Sequence, residues 1–151
     1  MKSEKYETLY DNSNNLYEFL SIGPKGIIKK VIQFEKINGI NKNIYNLTLG
    51  DLNEIGRIND LVVSNNNDTA KVLYTVAFTI LEFANRFPNA SVLIEGSTNS
   101  RTRLYQMAIG KNVEEINKFF DIKGLKNGYW ENFKPGINFE AFLIKYKPIK
   151  L

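Results

Sequence analysis

Hydrophobic and polar positions alternate through the first third of the chain and change to a helical period after residue 68. Leu16 to Ile22 and Ile27 to Glu35 are apolar, β-branched and partly alternating, the period-two pattern of strands. Between them, Gly23-Pro24-Lys25-Gly26 has proline where a type I turn takes it and glycine at the exit, which predicts a β-hairpin. In the second strand Ile28, Lys30, Ile32 and Phe34 share one face, while Ile27, Val31 and Gln33 share the other. Further strands are expected at Lys5 to Tyr10 and at Asn43 to Leu49. Leu52 to Asn67 reads as strand or loop around the short apolar run Leu61-Val62-Val63.

Leu73, Val76, Ala77, Ile80, Ala84 and Phe87 then recur at helical spacing, with Asp68 or a neighbour available as cap and Pro88 marking the end. So broad a stripe predicts a helix from Thr69 to Phe87 packed deep against a sheet, with Leu73, Val76, Ala77 and Ile80 buried. A strand is expected at Ser91 to Glu95, then a helix from Ser100 to Ile109 stopped by Gly110. A short helix should follow from Val113 to Phe120, with Asn112 and Glu115 as its capping box. Gly124, Gly128, Pro135 and Gly136 read as a looped region before a last strand, Asn138 to Tyr146. Strands first and a helix-strand-helix unit later predict an α+β fold. It is a mainly antiparallel sheet packed by one long central helix and two shorter C-terminal helices, in a single domain spanning residues 1–151.

Composition narrows the chemistry. The chain is 43% hydrophobic and 13% aromatic, enough for a core without disulfide or metal. Cysteine and histidine are both absent, which removes thiol nucleophiles, Ser-His-Asp and Cys-His relays, and zinc sites built on those ligands. Asp51, Glu54, Asp60, Asp68, Glu95 and Asp121 show no spacing diagnostic of a metal site or a glycosidase pair, so no metal is expected. The polar start MKSEKYETLYD, with no run of roughly 18 apolar residues anywhere, predicts a cytoplasmic protein with no membrane contact. A net charge of +4, spread along the chain with Glu interleaved, permits weak attraction to RNA or to an acidic protein partner.

The strongest candidate for a site is the segment VLIEGSTNSRTRLYQ, from Val92 to Gln106. It runs from a strand through a small polar turn into a helix whose first turns carry Arg101, Arg103 and Tyr105. Free N–H groups and partial positive charge at a helix start suit an anion, and Ser97, Thr98, Arg101 and Arg103 are its candidate ligands. The plainer reading is a Ser97, Thr98 or Asn99 cap, with Arg101 and Arg103 solvated or paired with Glu95 and Tyr105 at the edge of the core. Lys25, Lys29 and Lys30 with Tyr17 and Phe19 could form a basic aromatic surface for RNA, although lysines on exposed strands more often oppose aggregation. Tyr129-Trp130 with Phe133 reads as a partner-binding patch or, as expected here, as aromatics completing the core.

YEFLSIGPKGIIKKVIQF (Tyr17 to Phe34), GSTNSRTRLYQMAI (Gly96 to Ile109) with the following EEINKFFDIKG, and NFEAFLIKY (Asn138 to Tyr146) resemble a bacterial family of short single-domain proteins of unknown function. That resemblance implies no activity. It suggests a setting among small mobile or toxin-antitoxin-like genes, and hence a partner-dependent protein. Three antiparallel strands, a long helix, a strand and a helix ending in Leu104-Tyr105 are also similar to the GNAT acyltransferase fold. The implied cofactor is acetyl-CoA, with Tyr105 as general acid toward the coenzyme A thiolate. That fold places an Arg/Gln-x-x-Gly-x-Gly/Ala pyrophosphate loop before the long helix, where this chain has Ser64-Asn65-Asn66-Asn67-Asp68-Thr69.

Overall fold

A computed structural model describes residues 5–40, 42–52, 58–59 and 66–147, with backbone alone at 58–59. The fold is α+β. In chain order it comprises β1 (Leu9–Asp11), β2 (Leu16–Gly23), β3 (Gly26–Lys36), β4 (Ile44–Leu52), β5 (Ile58–Asn59), α1 (Thr69–Arg86), β6 (Ser91–Ile94), α2 (Asn99–Lys111), α3 (Val113–Ile116), β7 (Phe120–Lys126), β8 (Tyr129–Asn132) and β9 (Ala141–Tyr146). The chain divides into two compact units. An N-terminal unit holds residues 2–35 and 47–82, and a C-terminal unit holds residues 36–46 and 83–151. β4 and α1 each begin in one unit and end in the other. The apolar run Leu61-Val62-Val63 lies outside the described residues.

In the N-terminal unit the strands are ordered β1-β2-β3-β4, with β5 against β4. The expected hairpin forms with Gly23 opposite Gly26, and Gly26 takes a φ of 90°, which favours glycine. Tyr17, Phe19 and Ser21 point inward from β2, and Lys30, Ile32 and Phe34 from β3, as the alternation requires. Tyr6 stacks on Phe19 at 5.4 Å between ring centroids, and Tyr17 meets Phe34 edge-on at 5.9 Å.

α1 is free of glycine and proline through 18 residues and stops two residues before Pro88. Its buried positions are Val72, Thr75, Val76, Thr79, Ile80, Phe83 and Ala84, a strict 3-4 spacing. Val76 and Ile80 are therefore inside as expected, but Leu73 and Ala77 are only half-buried, because the face is turned toward the two threonines. Their hydroxyls are satisfied within the fold. Thr75 donates to the Lys71 carbonyl at 2.8 Å and accepts from the Tyr6 N–H at 2.9 Å, and Thr79 donates to the Val76 carbonyl at 2.7 Å. A threonine so placed acts as a small core residue, which a reading of apolar letters alone passes over.

In the C-terminal unit the strands are ordered β6-β9-β7-β8, all antiparallel, and the Ser91 N–H reaches the Asn43 carbonyl just before β4. Val92, Ile94, Ile122, Phe142 and Ile144 form one sheet face of the core, with Tyr105 and Ile109 of α2 and with Phe133 and Phe139 also buried. Two expectations are corrected here. The looped region at Gly124 and Gly128 is the β7–β8 hairpin, closed by Asn127 and Gly128 with φ values of 52° and 82°. Asn-Gly is the preferred two-residue hairpin turn, so this signal stood in the sequence. The helix expected to Phe120 is a single turn, since the Asn112 side chain bonds back to the Ala108 carbonyl rather than capping forward.

Substituting Ile80→Asp would place an unpaired charge in the buried stripe of α1. It should cost several kcal/mol, a large part of the roughly 5 to 15 kcal/mol holding such a fold, and a denaturant melt should show most of the stability gone. A melt close to wild type would show that α1 is not the element that closes the core.

Candidate functional site

β6 ends at the buried Ile94, and four residues later Thr98 opens α2 in an extended conformation, φ −134° and ψ 160°. The Thr98 hydroxyl accepts the Arg101 N–H at 3.2 Å, the N-cap bond of the helix. The Thr102 hydroxyl turns back into the corner, accepting the Gly96 N–H at 3.0 Å and lying 3.2 Å from the Thr98 carbonyl to which it donates. Gly96 is needed for this approach: a Cβ there would lie 2.7 Å from the Thr102 Oγ1. Farther along, Gln106 accepts the Phe139 N–H at 2.8 Å, which ties α2 to the loop before β9.

The predicted site residues are thus divided. Ser97 and Thr98 are exposed in the corner, and the Thr98 hydroxyl keeps its own proton after accepting from Arg101. Arg101 is half-buried in the first turn, which contains no acidic residue. Arg103 lies two residues on, about 200° around the helix, and is exposed with no ion-pair partner among the described residues. Tyr105 is 6% exposed and lies in the core. The corner brings together Ser97, Thr98 and Arg101, while Arg103 adds charge from a different side of α2.

A second polar cluster lies in the N-terminal unit and has no sequence signal, since its members are far apart in the chain. The Asp68 carboxylate, just before α1, accepts from the Ser21 hydroxyl at 2.5 Å and from the Tyr6 hydroxyl at 2.6 Å. Burial, followed by this bond to Asp68, holds the Tyr6 hydroxyl protonated above the ordinary tyrosine range. Asn66 is almost fully buried and plugs the β2–β3 turn, accepting from the Lys25 N–H at 2.7 Å and donating to the Gly26 carbonyl at 2.9 Å. With Ser21 wholly buried and the Tyr6 hydroxyl bonded to Asp68, the cluster serves as a latch between the hairpin and the start of α1.

The basic surface considered on β3 does not form. Lys30 is 6% exposed and pairs with Asp51 at 2.6 Å, and Tyr17 and Phe19 are core residues. Charge is instead divided between the two units. The C-terminal unit carries 13 Lys and Arg against 6 Asp and Glu, a net +7, whereas the N-terminal unit carries 7 against 10, a net −3. No helix of the described residues is long and apolar enough to cross a membrane.

A small α+β protein with a basic strand-to-helix corner is the class these features define. The profile described as "Family of unknown function (DUF6934)" matches residues 2–147, and the chain belongs to that family. No curated protein and no solved structure matches it.

Arg103→Ala should leave the melting temperature nearly unchanged, within about 0.5 kcal/mol, because the side chain is exposed and has no ion-pair partner among the described residues. Thr102→Val, which strands the Gly96 N–H, should cost about 1 to 3 kcal/mol. A large loss in Arg103→Ala would make that arginine structural and remove it from the site.

Proposed function

We propose that this is a small binding protein that takes an anionic ligand, RNA foremost, at the Gly96–Tyr105 corner of its C-terminal unit. The charge division supports this reading most directly. A net +7 on one unit attracts polyanions, and the first turn of α2 within it has no acid to oppose one. The Thr98 hydroxyl and the Arg101 guanidinium would hold the anion, and Arg103 would add longer-range attraction. The corner is preorganised, since the Thr102 bonds set the path of the chain before any ligand arrives. Arg101→Ala and Arg103→Ala should each weaken binding of a short RNA in an anisotropy titration at low salt, and affinity should fall as salt rises. Equal affinity of the double variant would remove the corner from the account, and an acidic protein partner would leave RNA unbound.

A second reading, a divergent GNAT-like acyltransferase using acetyl-CoA with Tyr105 as general acid, draws support from the chain order of strands, long helix, strand and helix. Against it, Tyr105 is buried, and the Asp68 carboxylate stands at the start of α1 where a pyrophosphate would need positive potential. Acetyl-CoA at 100 times its dissociation constant would stabilise the fold by about 2.7 kcal/mol. A thermal melt of the Arg101→Ala, Arg103→Ala double variant in millimolar acetyl-CoA should show no shift if the binding reading holds, and a clear upward shift there would favour the enzyme.

A further inference from the structure

The β7–β8 hairpin is the part of the C-terminal unit that the proposed corner does not use, and its side chains are unusual for an edge. β8 ends the strand order, and all four of its residues are exposed. Two of them are aromatic. Tyr129 is 77% exposed and Trp130 is 43% exposed, and neither has a ring partner among the described residues. Phe133, only three residues later, is buried against Phe139 at 5.5 Å, so the core has its aromatic and leaves the other two outside.

The register sets their neighbours. Trp130 stands opposite Leu125, and Lys123 opposite Asn132, which places Trp130 and Lys123 on the same face of the hairpin. Lys123 is exposed and donates to the Asn132 side chain at 2.7 Å, which holds its ammonium on the face that carries the ring. Continuing across β9 on that face, Lys145 stands opposite Asp121 and is exposed. Tyr129 lies on the opposite face, paired with Lys126. Each aromatic therefore shares its face with a lysine, inside a unit of net charge +7.

We infer that the Trp130 face of this hairpin binds single-stranded nucleic acid, one base stacking on the indole while Lys123 meets a flanking phosphate and Lys145, farther along the same face, meets a phosphate down the strand. An exposed ring on a face that also carries cations is the arrangement by which proteins bind unpaired bases without reading their sequence. A duplex keeps its bases stacked inside and cannot use the ring. The inference rests on the polyanion reading of the C-terminal unit and adds a second surface to it.

Trp130 is the single tryptophan of the chain, so its fluorescence reports the proposed contact directly. The experiment titrates the full chain at low salt with labelled 12-nucleotide oligomers of one mixed sequence, as RNA and as DNA, and follows both anisotropy and tryptophan emission. Binding should quench Trp130. Trp130→Ala should weaken affinity about 5-fold or more, Trp130→Tyr should retain most of it, and a duplex of the same sequence should not quench. Comparing the RNA and DNA arms assigns the sugar. Oligomer binding with unchanged emission, and equal affinity in Trp130→Ala, would overturn the hairpin site while leaving the corner standing. No binding of either oligomer at low salt would overturn both, and circular dichroism of each variant establishes that it is folded.

Discussion

The bond between the Thr102 hydroxyl and the Gly96 N–H decides how the C-terminal unit is arranged. It draws the strand end and the first turn of α2 so close that only glycine fits at residue 96. Once that corner is closed, the direction of α2 follows. Tyr105 and Ile109 then lie on the buried side, Arg101 lies in the first turn, and Gln106 is placed to accept from the backbone at Phe139. A single hydroxyl thus links the packing of the core to the placement of the basic turn. The proposed chemistry depends on that placement more than on any one cation.

The N-terminal unit solves a similar problem with different groups. Asn66 and Asp68 precede α1 and are bonded by the hairpin and by Tyr6 and Ser21, so Asn66 and one oxygen of Asp68 are committed to the fold. Lys30 and Asp51 neutralise each other in the interior. Such pairs contribute little net energy but are costly to break, which makes them stronger statements about structure than about function. The unit that spends its polar groups internally carries net −3, and the unit with exposed cations carries net +7. The binding role proposed for the C-terminal unit rests on that contrast.

Much of this was legible in the residues. The β2–β3 hairpin, the long helix from Thr69, the strand after Ala90 and the order of elements as far as α2 follow from period and punctuation, whereas β7 and β8 read as helix end and loop. The corner at Gly96 was legible as a strand-to-helix turn capped by Ser97, Thr98 or Asn99, and the structure selects Thr98. The splitting of Arg101 from Arg103 follows from helical geometry alone, since neighbours two apart never share a side. The face of α1 was misjudged because Thr75 and Thr79 satisfy their hydroxyls locally and then pack as apolar residues would. The latch at Asp68 was not legible, because Tyr6 and Ser21 are 62 and 47 residues away from it. Charge division was hidden for the same reason: along the chain the signs interleave, and only folding gathers residues 36–46 with residues 83–151.

The claim on which the account turns is that the C-terminal unit is the binding unit. The most direct measurement is a backbone amide shift map by NMR during titration with a short single-stranded oligonucleotide at low salt. Binding to that unit should perturb amides at Gly96 to Arg103 and along Lys123 to Asn132, with Tyr6, Ser21 and Lys71 unmoved. Shifts confined to the loop before α1 and the β2–β3 hairpin would contradict it, for they would place the ligand on the unit of net negative charge.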